Sequence, residues 1–271
     1  MRIALLGHGY LGKWHAQKIK LHENVTFAAI VEPFEKAHAE IQQLYPNVKV
    51  VTELKSVIGE IDAAIVVTPT STHLSQVKFL LENQKHVYCE KPLAHDYASS
   101  QLLYELSLKH PNLVTQVGHS ERCHQIFESE KKNLLSVMEN GYCLFERYGA
   151  FKGRAIDVSC VEDIMVHDLD LMMYLFNPKL ISCSAYGIKS KTKNWDSVHA
   201  TLRSANQSFN FFASRDAIEE RRQLACYGTS GTMVIDFMHN KMTTTTSELK
   251  VSSYEKRDHL LFQQQAFVAS I

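Results

Sequence analysis

Asp163, His167 and Asp170 fall in the stretch VEDIMVHDLDLM (161–172), spaced four and three residues apart. On a helix that spacing sets all three along nearly one face. An imidazole titrates near neutral pH and, within reach of a hydroxyl, can remove its proton. The same residues admit two other readings, a metal site and the wet edge of an amphipathic helix. A second candidate is Lys91 in Glu90-Lys91-Pro92. A desolvated lysine can hydrogen-bond a hydroxyl and exchange protons with it, although in isolation the residue reads as a solvated loop lysine. Metal is the weaker chemistry: His119, Cys123, His124, Cys160 and His167 have spacings that match no zinc ligand pattern, so no metal is expected.

A third group concerns phosphate. Gly7-His-Gly9-Tyr10-Leu11-Gly12 is a G-x-G-x-x-G placed directly after the apolar run RIALLG and before a helical pattern. Gly7 permits the tight turn, Gly9 lets a pyrophosphate approach the backbone, and Gly12 lets helix and strand pack closely. The free N–H groups of the helix start then face the phosphates. Glu32 follows about 20 residues later at the end of the next apolar run, where a carboxylate accepts hydrogen bonds from ribose hydroxyls. A carboxylate there repels a 2′-phosphate, so NAD is expected rather than NADP. Thr68-Pro69-Thr70-Ser-Thr72-His73 ends another strand-like run, and its hydroxyls can line a nicotinamide ribose.

These groups need elements to hold them. In the first 120 residues six runs, at 2–7, 25–32, 48–51, 63–68, 86–90 and 113–118, are apolar on both faces and are separated by segments such as THLSQVKFLLENQ with helical spacing. Doubly buried strands alternating with helices predict a doubly wound parallel (Rossmann) sheet. Beyond about residue 125 one strong helical pattern, DIMVHDLDLMMYLF, precedes LISCSAYGIK, DSVHATLRSA, QSFNFFASR, RQLACYGTSG and TMVIDFM, with short turns between them. That pattern predicts an α+β domain with a mainly antiparallel, open-faced sheet. The expected division is 1–120 for the dinucleotide domain and 121–271 for a substrate-binding and oligomerisation domain. TTTTS at 243–247 reads as a loop or edge strand.

At 271 residues and 45% hydrophobic content the chain can fill two cores. Its 29 basic and 29 acidic side chains cancel, which argues against nucleic acid or an anionic membrane as partner. No apolar run reaches the roughly 20 residues of a membrane span and MRIALLGHGY is too short for a signal core, so a cytoplasmic protein is expected. The six cysteines form no C-x-x-C pair and read as reduced thiols.

Together the GHGYLG turn with Glu32, the TPTSTH segment, Glu90-Lys91-Pro92 and Asp163-x-x-x-His167-x-x-Asp170 resemble the glucose-fructose oxidoreductase and inositol dehydrogenase (Gfo/Idh/MocA) family over nearly the whole chain. The resemblance implies that Lys91, Asp163 and His167 surround a reacting carbinol opposite the nicotinamide, with Lys91 preceding a cis-proline at Pro92. Oxidising an alcohol requires a base for the hydroxyl proton as hydride leaves carbon. His167 is assigned that role, Lys91 positions the same hydroxyl and stabilises developing alkoxide, and Asp163 orients the sugar or the imidazole. The division between Lys91 and His167 stays open. The implied cofactor contacts are Gly7, Gly9, Tyr10, Leu11, Gly12, Glu32, Thr68, Pro69, Thr70, His73, Glu90 and Pro92.

Within the family, VGHSER (117–122) and DVSCVEDIMVHDLDL (157–171) look most like the branch of UDP-N-acetylglucosamine 3-dehydrogenases. That likeness implies NAD-dependent oxidation of a sugar hydroxyl of a UDP-sugar, with His119, Arg122, Arg154 and Asp170 as substrate contacts and the two arginines as partners of its diphosphate. Cys123 and His124 depart from the Phe-Asn of that branch. The family usually forms dimers or tetramers through the open sheet face, so a homodimer or homotetramer is expected. The alternatives are a dehydrogenase of a free polyol or inositol and a non-catalytic NAD-binding regulator. HLLFQQQAFVASI is a helical pattern that stops at Ile271, where relatives usually continue with further helix.

Overall fold

The six doubly apolar runs become six strands in a computed structural model, which describes residues 1–153, 155–245 and 248–271. The chain divides into two units, Met1–Ser120 with Asp258–Ile271, and Glu121–Arg257.

In the first unit β1 (Arg2–Leu6), β2 (Thr26–Val31), β3 (Lys49–Val51), β4 (Ala63–Val66), β5 (His86–Glu90) and β6 (Thr115–Gly118) form one parallel sheet in the order β3-β2-β1-β4-β5-β6. β4 is buried at all four of its positions, as a strand covered on both faces must be. The crossovers are α1 (Tyr10–Ile19), α2 (His38–Leu44), α3 (Thr70–Glu82) and α4 (Tyr97–Lys109). α4 starts where the Asp96 carboxylate accepts the Ser99 N–H at 2.7 Å, which satisfies one of the exposed donors of the first turn.

The second unit holds α5 (Ile126–Val137), β7 (Gly141–Tyr148), α6 (Val166–Phe176) and β8 to β14. These last strands are Ser182–Ile188, Ser197–Arg203, Ser208–Ser214, Arg221–Gly228, Gly231–Asp236, Lys241–Thr244 and Lys250–Ser253. They make an eight-stranded sheet in the order β14-β13-β12-β11-β7-β10-β9-β8, antiparallel except for the pair β10 and β7. One face is covered by α5 and by the segment leading into α6. Leu171, Met172 and Leu175 of α6 are buried there with Phe145, Phe209 and Phe211. The other face leaves Tyr142, Tyr186 and Phe212 exposed. α6 ends at Asn177, whose left-handed backbone (φ 42°) turns the chain out before Pro178.

Two differences from the sequence expectation concern strands. β7 was not anticipated, because GYCLFERY follows a helix and carries charged residues; its inward positions are Cys143, Phe145 and Arg147. Thr243 and Thr244 of TTTTS lie in β13, which pairs with β12 and β14 and so is not an edge strand, while Thr246 and Ser247 lie outside the described residues.

The largest difference concerns α7 (His259–Ala269), which belongs to the first unit and not to the second. Asp258 accepts the Leu261 N–H at 3.0 Å and starts the helix. Phe267, fully buried, then joins Ile3, Leu5, Ala16, Ile19 and Tyr88 in one apolar cluster. The burial of Phe267 against β1 and α1 outweighs chain proximity to the second unit.

Candidate active site

The glycine turn of the first unit is built for close approach. Gly7 has φ +88°, and its N–H donates to Val31 at 2.9 Å. A Cβ on Gly12 would stand 2.2 Å from the Gly7 carbonyl oxygen, so helix and turn meet only because neither carries a side chain there. A Cβ on Gly9 would meet nothing within 4 Å, which leaves the backbone open to a pyrophosphate. α1 begins at once, with Tyr10 and Leu11 exposed and no acidic residue in its first turn.

Glu32 is buried at the end of β2 and fastens this turn. Its Oε2 accepts the His8 N–H at 2.9 Å and its Oε1 the Phe34 N–H at 3.2 Å. Each carboxylate oxygen retains capacity for a ribose hydroxyl. Burial pulls the His8 imidazole below its ordinary value, which disfavours a positive charge on this ring beside the turn. These features fit a dinucleotide without a 2′-phosphate.

Thr68, Pro69 and Thr70 run from β4 into α3, whose first residue is Thr70. The Thr68 hydroxyl donates to Gln76 at 2.6 Å. His73 is 1% exposed, and its two ring nitrogens lie 2.9 Å from the carbonyl oxygens of Thr68 and Pro92. It therefore ties the threonine segment to the Glu90-Lys91-Pro92 segment and presents little surface to a ligand. The Lys91-Pro92 peptide is cis, and the Lys91 N–H donates to Glu90 Oε2 at 3.2 Å. His119 follows β6 in the same unit, its N–H bonded to the Val117 carbonyl at 2.9 Å.

In the second unit Asp163 lies in a π-helical turn, Val161–Met165, that runs directly into α6 with His167 in its first turn. The sequence spacing predicts an α-helix here. The wider turn recurs at functional sites in other helices. Glu162 turns back, accepting the N–H and hydroxyl of Ser159 at 2.8 and 2.9 Å.

Beneath His167 lies a charge network that sequence reasoning missed. Arg147 grips Asp168 through Nε and Nη2 at 2.9 to 3.1 Å, and Nη2 also donates to Glu121 Oε2 at 3.0 Å. His124 Nε2 stands 3.1 Å from the same Glu121 oxygen. Burial opposes the Glu121 charge, yet Arg147 and His124, with His167 adding to the pull, hold its carboxyl well below the ordinary range. Burial raises the Asp168 carboxyl in spite of Arg147. The missed signal was available, since the period of two in β7 puts Arg147 on the apolar face with Cys143 and Phe145.

Asp170 and Arg122 engage each other. Arg122 Nε donates to Oδ2 at 2.8 Å and Nη2 donates to Oδ1, with the guanidinium 5.3 Å over the Tyr174 ring. Both were expected to face a substrate separately; in the structure two of the five donors of Arg122 go to Asp170. Arg154 lies outside the described residues.

A parallel doubly wound sheet whose glycine turn is fastened by a buried acid defines an NAD-binding Rossmann unit, here followed by a second, largely antiparallel unit. Family models agree: the oxidoreductase family with an NAD-binding Rossmann fold matches residues 1–119, and the GFO/IDH/MocA C-terminal domain matches residues 146–234. The chain belongs to the GFO/IDH/MocA family of oxidoreductases.

Among curated relatives, a UDP-N-acetylglucosamine 3-dehydrogenase of Acidithiobacillus ferrooxidans is 28% identical over 89% of this chain and 76% of its own. An inositol 2-dehydrogenase of Rhodococcus jostii is 28% identical over 67% of this chain but only 51% of its own length. Among solved structures, the UDP-N-acetylglucosamine 3-dehydrogenase of Acidithiobacillus ferrooxidans superposes with TM-score 0.91 at 26% identity, covering 100% of this chain and 88% of that one. A scyllo-inositol dehydrogenase from Lactobacillus casei with bound NAD(H) and scyllo-inositol shares the fold, with TM-score 0.83 at 19% identity over 100% of this chain and 88% of that one.

Proposed function

We propose that the protein is an NAD-dependent dehydrogenase that oxidises a secondary hydroxyl of a nucleotide sugar to a ketone, acting at the 3-hydroxyl of UDP-N-acetylglucosamine or a close analogue. The observation that carries the chemistry is His167 at the head of α6, preceded by Asp163 and backed by the buried Arg147, Asp168 and Glu121. The likeness to the UDP-N-acetylglucosamine 3-dehydrogenase supports the substrate.

Bound NAD supplies the hydride acceptor. Gly7, Gly9, Tyr10, Leu11 and Gly12 hold its pyrophosphate by backbone, Glu32 its ribose, and Thr68, Pro69, Thr70, Glu90 and Pro92 its reacting half, with His73 bracing the last two segments. His167 takes the hydroxyl proton, Lys91 orients the same oxygen and stabilises negative charge on it, and Asp163 orients the sugar or the imidazole. His119 and the free donors of Arg122 meet the substrate, with Arg154 a second partner for its diphosphate and Asp170 holding Arg122 in place.

The test is NADH formation from NAD across a panel of UDP-sugars. Tight NAD binding with no reduction by any of them removes the substrate assignment. A second reading, a free polyol or inositol dehydrogenase, is favoured by the run of inositol 2-dehydrogenases among the relatives. Inositols in the same panel decide between the two. We also infer a cytoplasmic homodimer or homotetramer joined through the open sheet face, which exposes Tyr142, Tyr186 and Phe212; light scattering that returns a monomer rejects it.

A further inference from the structure

Five polar side chains converge inside the first unit, each 7% exposed or less: His15, Tyr88, Glu90, Gln263 and Gln264. The direction of their hydrogen bonds can be worked out. The Gln264 amide nitrogen lies 3.3 Å from the His15 carbonyl oxygen, which can only accept, so that nitrogen is a donor there. It also stands 2.9 Å from His15 Nδ1. Nδ1 is then the acceptor, and the ring proton sits on Nε2, 3.0 Å from Glu90 Oε1. The other end of the Gln264 amide, Oε1, lies 3.2 Å from His22 Nε2. A relay therefore runs from α7 through His15 to Glu90, with one tautomer of His15 selected by its partners.

Tyr88 adds a second arm. Its hydroxyl is 3.0 Å from Glu90 Oε1 and 2.5 Å from Gln263 Oε1. The strand beside it leaves room for this arrangement only as glycine: a Cβ on Gly118 would lie 2.7 Å from both Glu90 Oε1 and the Tyr88 hydroxyl. The opposite oxygen of Glu90 accepts the N–H of Lys91.

Apolar packing would fill this volume at no desolvation cost, whereas a buried polar network must be fully satisfied merely to break even. What the network accomplishes is to hold one carboxylate in one orientation. That carboxylate accepts the N–H of the Lys91 peptide, the group from which the long Lys91 side chain departs just after β5.

We propose that His15 and Gln264 are positioning residues for Lys91, acting through Glu90, so that α7 sets the geometry of a lysine more than 170 residues earlier in the chain. This rests on the role given to Lys91 above. Neither residue touches the reacting atoms; they act on where the ammonium group sits.

The experiment compares His15→Leu, which removes the donor to Glu90, with His15→Gln, whose amide nitrogen can stand where Nε2 stands, and with Gln264→Leu. The first readout needs no turnover: the pH dependence of Lys91 acetylation by acetic anhydride, followed by peptide mass spectrometry. The expected result is a changed Lys91 labelling profile in His15→Leu and Gln264→Leu and a profile near wild type in His15→Gln. In parallel, kcat falls about tenfold or more in the two leucine variants, with KM for NAD within about threefold, and recovers in His15→Gln, as expected for a displaced group. Labelling that is unchanged in all three folded variants overturns the proposal, and so does equal loss in His15→Gln and His15→Leu. If the wild-type protein turns over no hydroxyl substrate, the functional reading fails while the labelling comparison still decides whether the relay positions Lys91.

Discussion

Arg147 and Asp168 close a two-pronged ion pair inside the second unit, one residue past His167, with both side chains less than a tenth exposed. The pair gives Asp168 the role that its position in the sequence leaves open. Its carboxylate is turned inward, so the start of α6 is fixed by charge as well as by packing.

Breaking this pair from one side should be costly. Arg147→Leu strips the buried Asp168 of its guanidinium and leaves Glu121 with His124 as its remaining ring partner, and a loss of about 3–5 kcal/mol is expected. The double variant Arg147→Leu with Asp168→Leu should lose less than Arg147→Leu alone, because one of the stranded charges is gone. Urea unfolding measures both; equal losses would mean that the two side chains are not energetically coupled.

Glu121 makes stability depend on acid. Its folded value lies well below the ordinary 4.5, so the charged form is favoured by folding. The stabilisation is complete above the unfolded value and is lost as pH falls through the lower folded value. The gap in urea midpoint between wild type and Glu121→Gln should thus be constant from neutral pH down to about 4.5 and narrow below it. A gap that widens on acidification contradicts the assignment.

Proton transfer should separate from cofactor binding. His167→Ala and Lys91→Ala are each expected to lower kcat by about 10²–10⁴ while the Kd for NAD stays near wild type. Calorimetry for binding and steady-state rates for turnover read the two. A rate unaffected in both variants points to the regulator, or to another active site.

Glu32 accepts the His8 and Phe34 N–H groups that shape the turn, and the proposed function gives it the ribose as well. Glu32→Ala should therefore weaken NAD binding by about tenfold or more and also reduce the discrimination against NADP. If Glu32→Ala lost NAD affinity but still excluded NADP as strongly as wild type, the carboxylate would not be the source of the selectivity.

Local pattern made much of the fold legible. Continuous apolar runs such as AAIV signal doubly covered strands, and the glycine turn with Glu32 carries its own spacing. Asp163 and His167 were legible as a helical pair, though the π-helical turn beneath them was not, because a single widened turn leaves no mark on residue spacing. Arg147 hid in a strand whose charged ending masks its period. The exchange between Arg122 and Asp170 and the relay from Gln264 to Glu90 depend on residues far apart in the chain, and no pattern along the sequence announces such partners. The assignment of α7 failed for the same reason: periodicity reveals an apolar face without naming the core that will take it.

The first unit is interrupted in sequence by the whole of the second, Glu121–Arg257. During synthesis the strands of the first unit emerge early, yet Phe267 and Gln264 leave the ribosome only after every residue of the second unit. The second unit is one uninterrupted stretch and can fold as soon as it is released. The nascent first unit meanwhile carries His15 and Glu90 without Gln264, the partner that selects the tautomer of His15. An oxidoreductase built this way completes the hydrogen-bond partners of Glu90 last, so the nucleotide-binding unit matures only once its counterpart has been made.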